Sequence, residues 1–100
     1  MAQFDVYENL GNNNETIPYL VDVQNDVLDQ FSTRMVIPLV LDEKETNLIN
    51  PEIVIDSKKY ILLTTQMAGI CVHRLGKKIT SLKDKRTDIV NAIDFLITGF

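Results

Sequence analysis

The sequence predicts a mainly β fold closed by one C-terminal α-helix. Up to Ser81 the chain consists of short apolar runs separated by clusters of turn-forming residues, a pattern typical of strands. After Ser81 the apolar residues change to spacings of three and four, the period of an amphipathic helix. One hundred residues with 45% apolar side chains suit a single domain, residues 1–100, with its own core. We therefore expect a small antiparallel barrel or paired sheets with the helix as a lid, and a homodimer that buries the surplus apolar residues.

The N-terminal third is predicted to contain two strands and an acidic loop. "AQFDVY" alternates, with Phe4 and Val6 on one face, and the polar "GNNNET" that follows favours a turn. "IPYLVDV" is too apolar to be solvated on one side, so we expect it to be covered on both faces. "QNDVLDQFST" predicts a loop in which Val27 and Leu28 lie side by side among aspartates.

The middle of the chain is predicted to form four more strands. "RMVIPLVL" is the most apolar of them, and Pro38 inside it cannot donate to a ladder, so it marks an edge, a bulge or a bend. After a loop at "DEKETNLIN", the segments "PEIVI" and "YILLTTQM" predict a hairpin that turns at "DSKK". "ICVHRL" predicts a further strand, which would place Cys71 and His73 on one face.

The last segment is predicted to be a helix. Ser81 is its candidate N-cap, with Asp84 three residues on, a weaker form of the capping box. The apolar stripe that would face the core is formed by Ile89, Ile93 and Leu96 or Ile97.

The composition and the N-terminal residues indicate in which cellular compartment the protein is expected. The longest apolar run, "MVIPLVL", is far shorter than the roughly 20 residues that a membrane span needs. The N-terminus lacks the basic start and apolar stretch of a signal peptide, and a single cysteine cannot form an internal disulfide. We therefore expect a cytoplasmic protein without membrane contact.

The charge is unevenly distributed along the chain. Residues 1–57 carry eleven acidic and two basic side chains, a balance of −9, whereas residues 58–100 carry eight basic and three acidic ones, a balance of +5. Six of the ten basic residues lie between Arg74 and Arg86. An acidic chain with one basic segment is unsuited to general or sequence-specific nucleic-acid binding. The basic segment is either a solvated turn and helix start or a local site for an acidic peptide or polyanion.

The sequence carries few residues in patterns typical of catalysis. Cys71 and His73 could begin a metal site or a nucleophile–base pair, but zinc needs further ligands and no second Cys or His exists. We expect instead a buried cysteine and a histidine at the rim, with no metal, no cofactor and no catalytic residue. Asp22, Asp26 and Asp29 suit turns and helix caps better than acid–base chemistry.

Two distinctive blocks, "VDVQNDVLD" at 21–29 and "RMVIPL" at 34–39, resemble the CcdB family of bacterial toxins. "TTQMAG", "NAI" and a terminal helix that closes on glycine plus one hydrophobic residue support the resemblance, which covers almost the whole chain. It implies a cytoplasmic homodimer built on an SH3-like barrel, acting as the toxin of a toxin–antitoxin module. Such toxins are not enzymes: they bind the A subunit of DNA gyrase, trap the enzyme on cleaved DNA, and are neutralised by an antitoxin with a disordered C-terminal segment.

The resemblance also implies which residues bind gyrase. They are two adjacent aliphatic residues after the second strand and the last residues of the helix: Val27, Leu28, Asp94, Ile97, Thr98, Gly99 and Phe100.

This chain departs from the family motif at three of those positions. Thr98 stands where the family has tryptophan, Asp94 where asparagine is usual, and Phe100 where a smaller aliphatic residue is usual. We hypothesise that Phe100 supplies the missing aromatic contact. The structural alternative is that Phe100 folds back onto the dimer interface and that Val27 and Leu28 are core residues under a loop.

Three further residues are expected to meet acidic side chains of the antitoxin: Arg74, Lys77 and Lys78. Two other functions stay open from the sequence. One is an endoribonuclease of a related barrel fold, which would rely on His73 and Arg74 with the two lysines. The other is a non-toxic barrel that serves as a binding module.

Overall fold

The computed structural model describes residues 2–41 and 49–99, and within them the chain is mainly β with one C-terminal α-helix, as predicted. Four short 3-10 turns connect these elements, at Asp26–Leu28, Thr64–Gln66, Val72–Arg74 and Lys83–Lys85. The strands are β1 (Asp5–Asn9), β2 (Tyr19–Asp22), β3 (Thr33–Leu41), β4 (Glu52–Ile55), β5 (Lys58–Leu62), β6 (Ala68–Cys71) and β7 (Leu75–Ser81), and the helix α1 is Arg86–Thr98.

All strand pairings are antiparallel. The sheet runs β4-β5-β3-β2-β1-β7, and β6 pairs with β3 beside β5. The two end strands, β4 and β7, do not pair with each other in the described part of the chain, yet residues of both line one cleft of about 240 Å³. The sheet therefore curls into an open half-barrel. Within the described residues, no helix has both the length and the apolar character that crossing a bilayer requires.

The main core lies between the concave sheet and α1. Ile89 and Ala92 of the helix are fully buried, and Ile89 packs with Val21 and Ile37 from the central strands. These two residues are three positions apart, close to one helical turn, so they lie on one apolar face of α1, and this face covers the sheet. The helix is therefore a lid on the half-barrel, as its period predicts.

A second, smaller core lies on the other face of the sheet. Tyr7, Leu20, Val36 and Leu75 are buried there, whereas their neighbour Val21 belongs to the main core. Because consecutive strand residues point to opposite faces, β2 is apolar on both sides. The prediction that "IPYLVDV" is covered on both faces is confirmed.

Pro38 lies in a central strand, at a gap between two partner strands. On one side β3 pairs with β6 up to Val36 and with β5 from Leu39 onward. The Pro38 carbonyl accepts the Leu63 N–H on that same side at 2.9 Å. Since the N–H and C=O of an antiparallel strand residue point the same way, the missing Pro38 N–H would have faced this gap and not β2. The edge interpretation is wrong, and the break in pairing is what accommodates the proline.

The predicted hairpin is confirmed as β4 and β5, but its second strand is shorter than "YILLTTQM": β5 ends at Leu62, and Thr64–Gln66 forms a 3-10 turn. The predicted strand "ICVHRL" is wrong. Asp56 and Ser57 both have positive φ, 50° and 67°, which suits the tight turn between twisted strands. Cys71 ends β6, and a 3-10 turn at Val72–Arg74 carries His73 away before β7 begins. Both side chains are exposed, so the expectations of a shared strand face and of a buried cysteine are both wrong.

Two further loop and cap predictions have different outcomes. Ser81 is not the N-cap of α1: it ends β7, and its Oγ accepts the Lys83 N–H at 3.4 Å in the 3-10 turn before the helix. The loop predicted at "DEKETNLIN" lies largely outside the described residues, which resume at Ile49.

Candidate functional site

Val27 and Leu28 project from a short turn into solvent. They lie in the 3-10 turn Asp26–Leu28, which is capped by Asn25 because its Oδ1 accepts the Val27 N–H at 3.0 Å. Val27 is 76% exposed and Leu28 40%. The alternative that these two residues belong to the core is therefore wrong for this chain.

A buried arginine fixes that turn from below. Arg34 on β3 is 1% exposed, and its Nε and Nη2 donate to Asp22 Oδ2 at 2.9 and 2.5 Å. Its Nη1 donates to Asp29 Oδ1 at 2.9 Å, and Nη2 lies 3.8 Å from Asp26 Oδ1. Charge-assisted bonds of this kind are short and directional. Arg34 thus ties both ends of the Val27–Leu28 turn to the sheet.

Asp22 is the buried partner in this network. Burial raises the pKa of Asp22, and the hydrogen bonds from Arg34 and from the Gln24 N–H oppose that rise. Its side chain is fully buried, whereas Asp26 and Asp29 are 58% and 57% exposed. The pair with Asp22 is therefore the structural contact, and the other two aspartates place negative charge at the surface beside Val27 and Leu28.

Gln24 and Gln3 add neutral ties to the same loop. Gln24 donates from Nε2 to the Leu28 carbonyl at 2.9 Å and accepts the Met35 N–H on Oε1 at 3.0 Å. The Gln3 N–H donates to Asp26 Oδ1 at 2.8 Å. The loop is therefore held to β3 and to the N-terminal segment by side chains.

The end of α1 is exposed and closed by a glycine. Asp94, Ile97 and Thr98 are exposed, with Ile97 at 68%. Thr98 Oγ1 donates to the Asp94 carbonyl at 2.7 Å, and the Gly99 N–H donates to the Phe95 carbonyl at 2.9 Å. Gly99 has φ +82°, the left-handed conformation that ends many helices. The need to end the helix is therefore enough to explain a glycine at position 99.

The residues predicted to bind gyrase lie in two separate groups within one chain, Val27 and Leu28 in the turn and Asp94–Gly99 at the end of α1. No hydrogen bond or ion pair joins Val27 or Leu28 to Asp94–Gly99 among the described residues of one chain. Both groups are at the surface, as a protein-binding site requires. Phe100, the seventh predicted residue, lies outside the described residues.

The three predicted antitoxin contacts have different surroundings. Lys77 is exposed, while Lys78 places its Nζ 3.5 Å from Oδ2 of the buried Asp5. Arg74 is exposed and lines a cleft of about 220 Å³ on the face of the second core. Of these three residues, Arg74 and Lys77 have no carboxylate partner among the described residues, whereas Lys78 has one.

Asp5 is a buried carboxylate that the sequence pattern did not reveal. It is 4% exposed, and Tyr7 Oη donates to its Oδ2 at 3.4 Å. Burial and then the Asp5 charge raise the pKa of Tyr7. Alternation in "AQFDVY" predicts that Asp5 lies opposite Phe4 and Val6, but periodicity alone does not show that this opposite face is also covered.

Sequence reasoning missed two residues of this loop region: Arg34, which anchors the loop, and Phe31, which is exposed on it. Arg34 is the one basic residue in the first 41 positions, and three aspartates precede it within twelve residues. A single arginine that follows several aspartates could have been predicted to form ion pairs with them. Phe31 is 51% exposed, and a loop aromatic residue carries no periodic signal that distinguishes it from a core residue.

Comparison with known proteins shows a family match and similarity to solved structures. The CcdB family model, described as CcdB protein, matches residues 3–99. An endoribonuclease from a mycobacterial species, solved in complex with its cognate antitoxin, is similar with a TM-score of 0.76 and 11% identity, over 94% of this chain and 91% of that chain. The structural likeness at this identity shows a shared fold, and the family match includes both exposed groups up to Gly99.

We predict that Asp22→Asn lowers the free energy of unfolding by about 3 kcal/mol, because it leaves the buried Arg34 guanidinium without its buried counter-charge. The matched control is Asp26→Asn, which removes an exposed charge 3.8 Å from the same guanidinium and should change stability by less than about 1 kcal/mol. Urea unfolding of both variants is the measurement. Equal effects of the two substitutions would contradict the assigned roles.

We also predict that Gly99→Ala lowers the free energy of unfolding by about 1 kcal/mol, because a Cβ disfavours the left-handed conformation that ends α1. Gly69→Ala is the control, since an added Cβ meets nothing within 4 Å at either glycine and only Gly99 has positive φ. Thermal unfolding followed by circular dichroism compares them. A Gly69→Ala loss as large as that of Gly99→Ala would refute the capping role.

Proposed function

Since this chain belongs to the CcdB family, whose members are toxins of toxin–antitoxin modules, we propose that it acts by poisoning DNA gyrase. In this proposal the protein binds the A subunit of gyrase, traps the gyrase–cleaved DNA complex, and kills the cell when its antitoxin is lost. It acts as a protein inhibitor of a topoisomerase and breaks no bond itself. Its place of action is the bacterial cytoplasm, where gyrase and DNA are found.

The distribution of exposed apolar side chains is the observation that supports this proposal. Among the large hydrophobic residues that the structure describes, Val27 at 76% and Ile97 at 68% are the most exposed. They lie in the two separate segments that the family resemblance assigns to gyrase binding. Leaving such side chains in water forgoes roughly 1.5–3 kcal/mol each relative to full burial, so both are suited to enter a partner's pocket.

Two-fold symmetry would explain how two separate groups act together. We propose a homodimer, in which each group occurs twice and the two copies engage a two-fold target as one bivalent unit. The proposed gyrase-binding surface comprises Val27, Leu28, Asp94, Ile97, Thr98, Gly99 and Phe100.

An endoribonuclease activity has less support from this chain. The mycobacterial neighbour is an endoribonuclease, but its likeness at 11% identity concerns the fold. His73 lies exposed in a 3-10 turn and shares no hydrogen bond with another side chain among the described residues, and Lys78 is paired with Asp5. General acid–base catalysis on RNA needs positioned proton donors and acceptors, which this arrangement does not provide.

The proposed antitoxin would bind through a disordered acidic segment that folds on the toxin. Arg74 and Lys77 are exposed cationic side chains, and Arg74 stands beside a cleft lined by Ile17, Leu20 and other apolar residues. A peptide that places apolar side chains in the cleft and carboxylates near these cations would match this surface.

We predict that deletion of residues 98–100 weakens both the inhibition of gyrase supercoiling and the trapping of cleaved DNA at least tenfold, because it removes the exposed tip of α1. The fold and antitoxin binding should remain, since Thr98 and Gly99 are exposed and outside the buried core. The measurement is a supercoiling and cleavage assay with purified protein.

Three further variants test individual side chains in the same assay. Ile97→Ala should also weaken trapping, whereas Leu10→Ala, which removes a side chain that is 58% exposed elsewhere, should not. Phe100→Ala isolates the contribution of the terminal ring. A truncated protein that still traps cleaved DNA would overturn the assigned surface, and cleavage of added RNA by the wild-type protein would favour the endoribonuclease.

We predict that Lys77→Glu weakens antitoxin binding severalfold and reduces its dependence on salt, because one exposed cation becomes an anion. Lys58→Glu is the control, since it reverses an exposed lysine on the β4–β5 hairpin that, like Lys77, has no carboxylate partner among the described residues. Lys78 is unsuited to this test because its reversal would place a second negative charge beside the buried Asp5. Equal losses for both variants would show only a general charge effect and would refute the assignment.

A further inference from the structure

Phe31 stands out among the aromatic residues. It is 51% exposed, whereas every other aromatic side chain that the structure describes is buried or half-buried. Aromatic rings are favoured anchors in protein interfaces because they bury a large area with few rotatable bonds. An aromatic side chain left in water on the same loop as Val27 and Leu28 therefore points to a contact that is made only in a complex.

The backbone around Phe31 is fixed on both sides. The Phe31 N–H donates to the Leu28 carbonyl at 3.3 Å, and the Ser32 carbonyl accepts the Val72 N–H at 2.9 Å. Asp29, two residues before Phe31, is bound to the buried Arg34. The ring is therefore attached to a loop with a defined position, three residues from Leu28 and joined to it by a backbone hydrogen bond.

Gln24 ties the backbone of Met35 on β3 to the same loop. That one side chain binds both the Leu28 carbonyl and the Met35 N–H, and Met35 is 40% exposed. The exposed apolar side chains of this region form what we term the loop patch: Val27, Leu28, Phe31 and Met35.

The rim of the loop patch is acidic. Asp26 and Asp29 keep more than half of their side chains exposed, and Arg34, the cation that pairs with them in the described part of the chain, is buried beneath the loop. The potential at the surface is therefore negative around an apolar centre. A matching partner surface has an apolar pocket with cationic groups at its edge.

We propose that Phe31 is a further contact residue of the gyrase-binding surface, and that the loop patch docks as a unit into an apolar pocket of the gyrase A subunit edged by basic residues. The inference rests on the proposed function, because it assigns the occupant of a surface that begins at Val27 and Leu28. It extends that surface from two aliphatic side chains to an aromatic anchor and its methionine neighbour.

The test is Phe31→Ala, with binding to purified gyrase A subunit measured by calorimetry and trapping of cleaved DNA measured in parallel. We expect binding about tenfold weaker, with unchanged thermal stability because the side chain is half exposed. Val54→Ala is the matched control: Val54 is 53% exposed on β4, outside the loop patch, and its truncation should leave binding unchanged. Val27→Ala serves as the reference for the surface already proposed.

The outcomes separate the two proposals. If wild-type protein neither binds the gyrase A subunit nor traps cleaved DNA, the proposed function and this inference both fail. If wild type binds and Val27→Ala weakens binding, but Phe31→Ala does not, the inference alone fails. It also fails if Phe31→Ala leaves gyrase binding intact and instead disrupts self-association or antitoxin binding, measured by sedimentation, because the ring then serves another partner.

Discussion

The buried pair between Arg34 and Asp22 is the contact on which the exposed loop depends. It joins β2 to β3 with an arginine that is 1% exposed and a carboxylate that is fully buried. Burying two charges is unfavourable unless their geometry is good and their remaining groups are bonded. Arg34 meets that condition by also binding Asp29, and this places the turn Asp26–Leu28 at a fixed position above the sheet.

A rigid scaffold that holds apolar side chains in water suits a protein that acts by binding. Val27 and Ile97 are left largely in water by the fold, yet each lies on a well-anchored element. The first is held by the Arg34 network, and the second lies on a helix whose inner face is fully buried at Ile89. Such preorganisation lowers the entropy that a partner must remove on binding. The energy left unused in folding is thus available for association.

Local patterns predicted much of the fold, and they failed where strands change partner or where a short turn leaves no local signal. The spacing of Ile89 and Ile93 predicted the helix because the helical period is local. The interpretation of Pro38 as an edge residue was wrong because β3 changes partner at that point, from β6 to β5. Cys71 and His73 were assigned to one strand because nothing in "ICVHRL" signals the 3-10 turn that separates them.

The sequence by itself determined the element types, the family resemblance and the positions of two candidate binding segments, because periodicity, turn residues and motif blocks are properties of short stretches. Only the tertiary structure decided that Val27, Leu28 and Phe31 are exposed and that Arg34 is not. Exposure depends on which strands and loops cover a residue, and those neighbours come from distant parts of the chain. The charge of Arg34 predicts a surface position, and its three aspartate partners are what allow it to be buried instead.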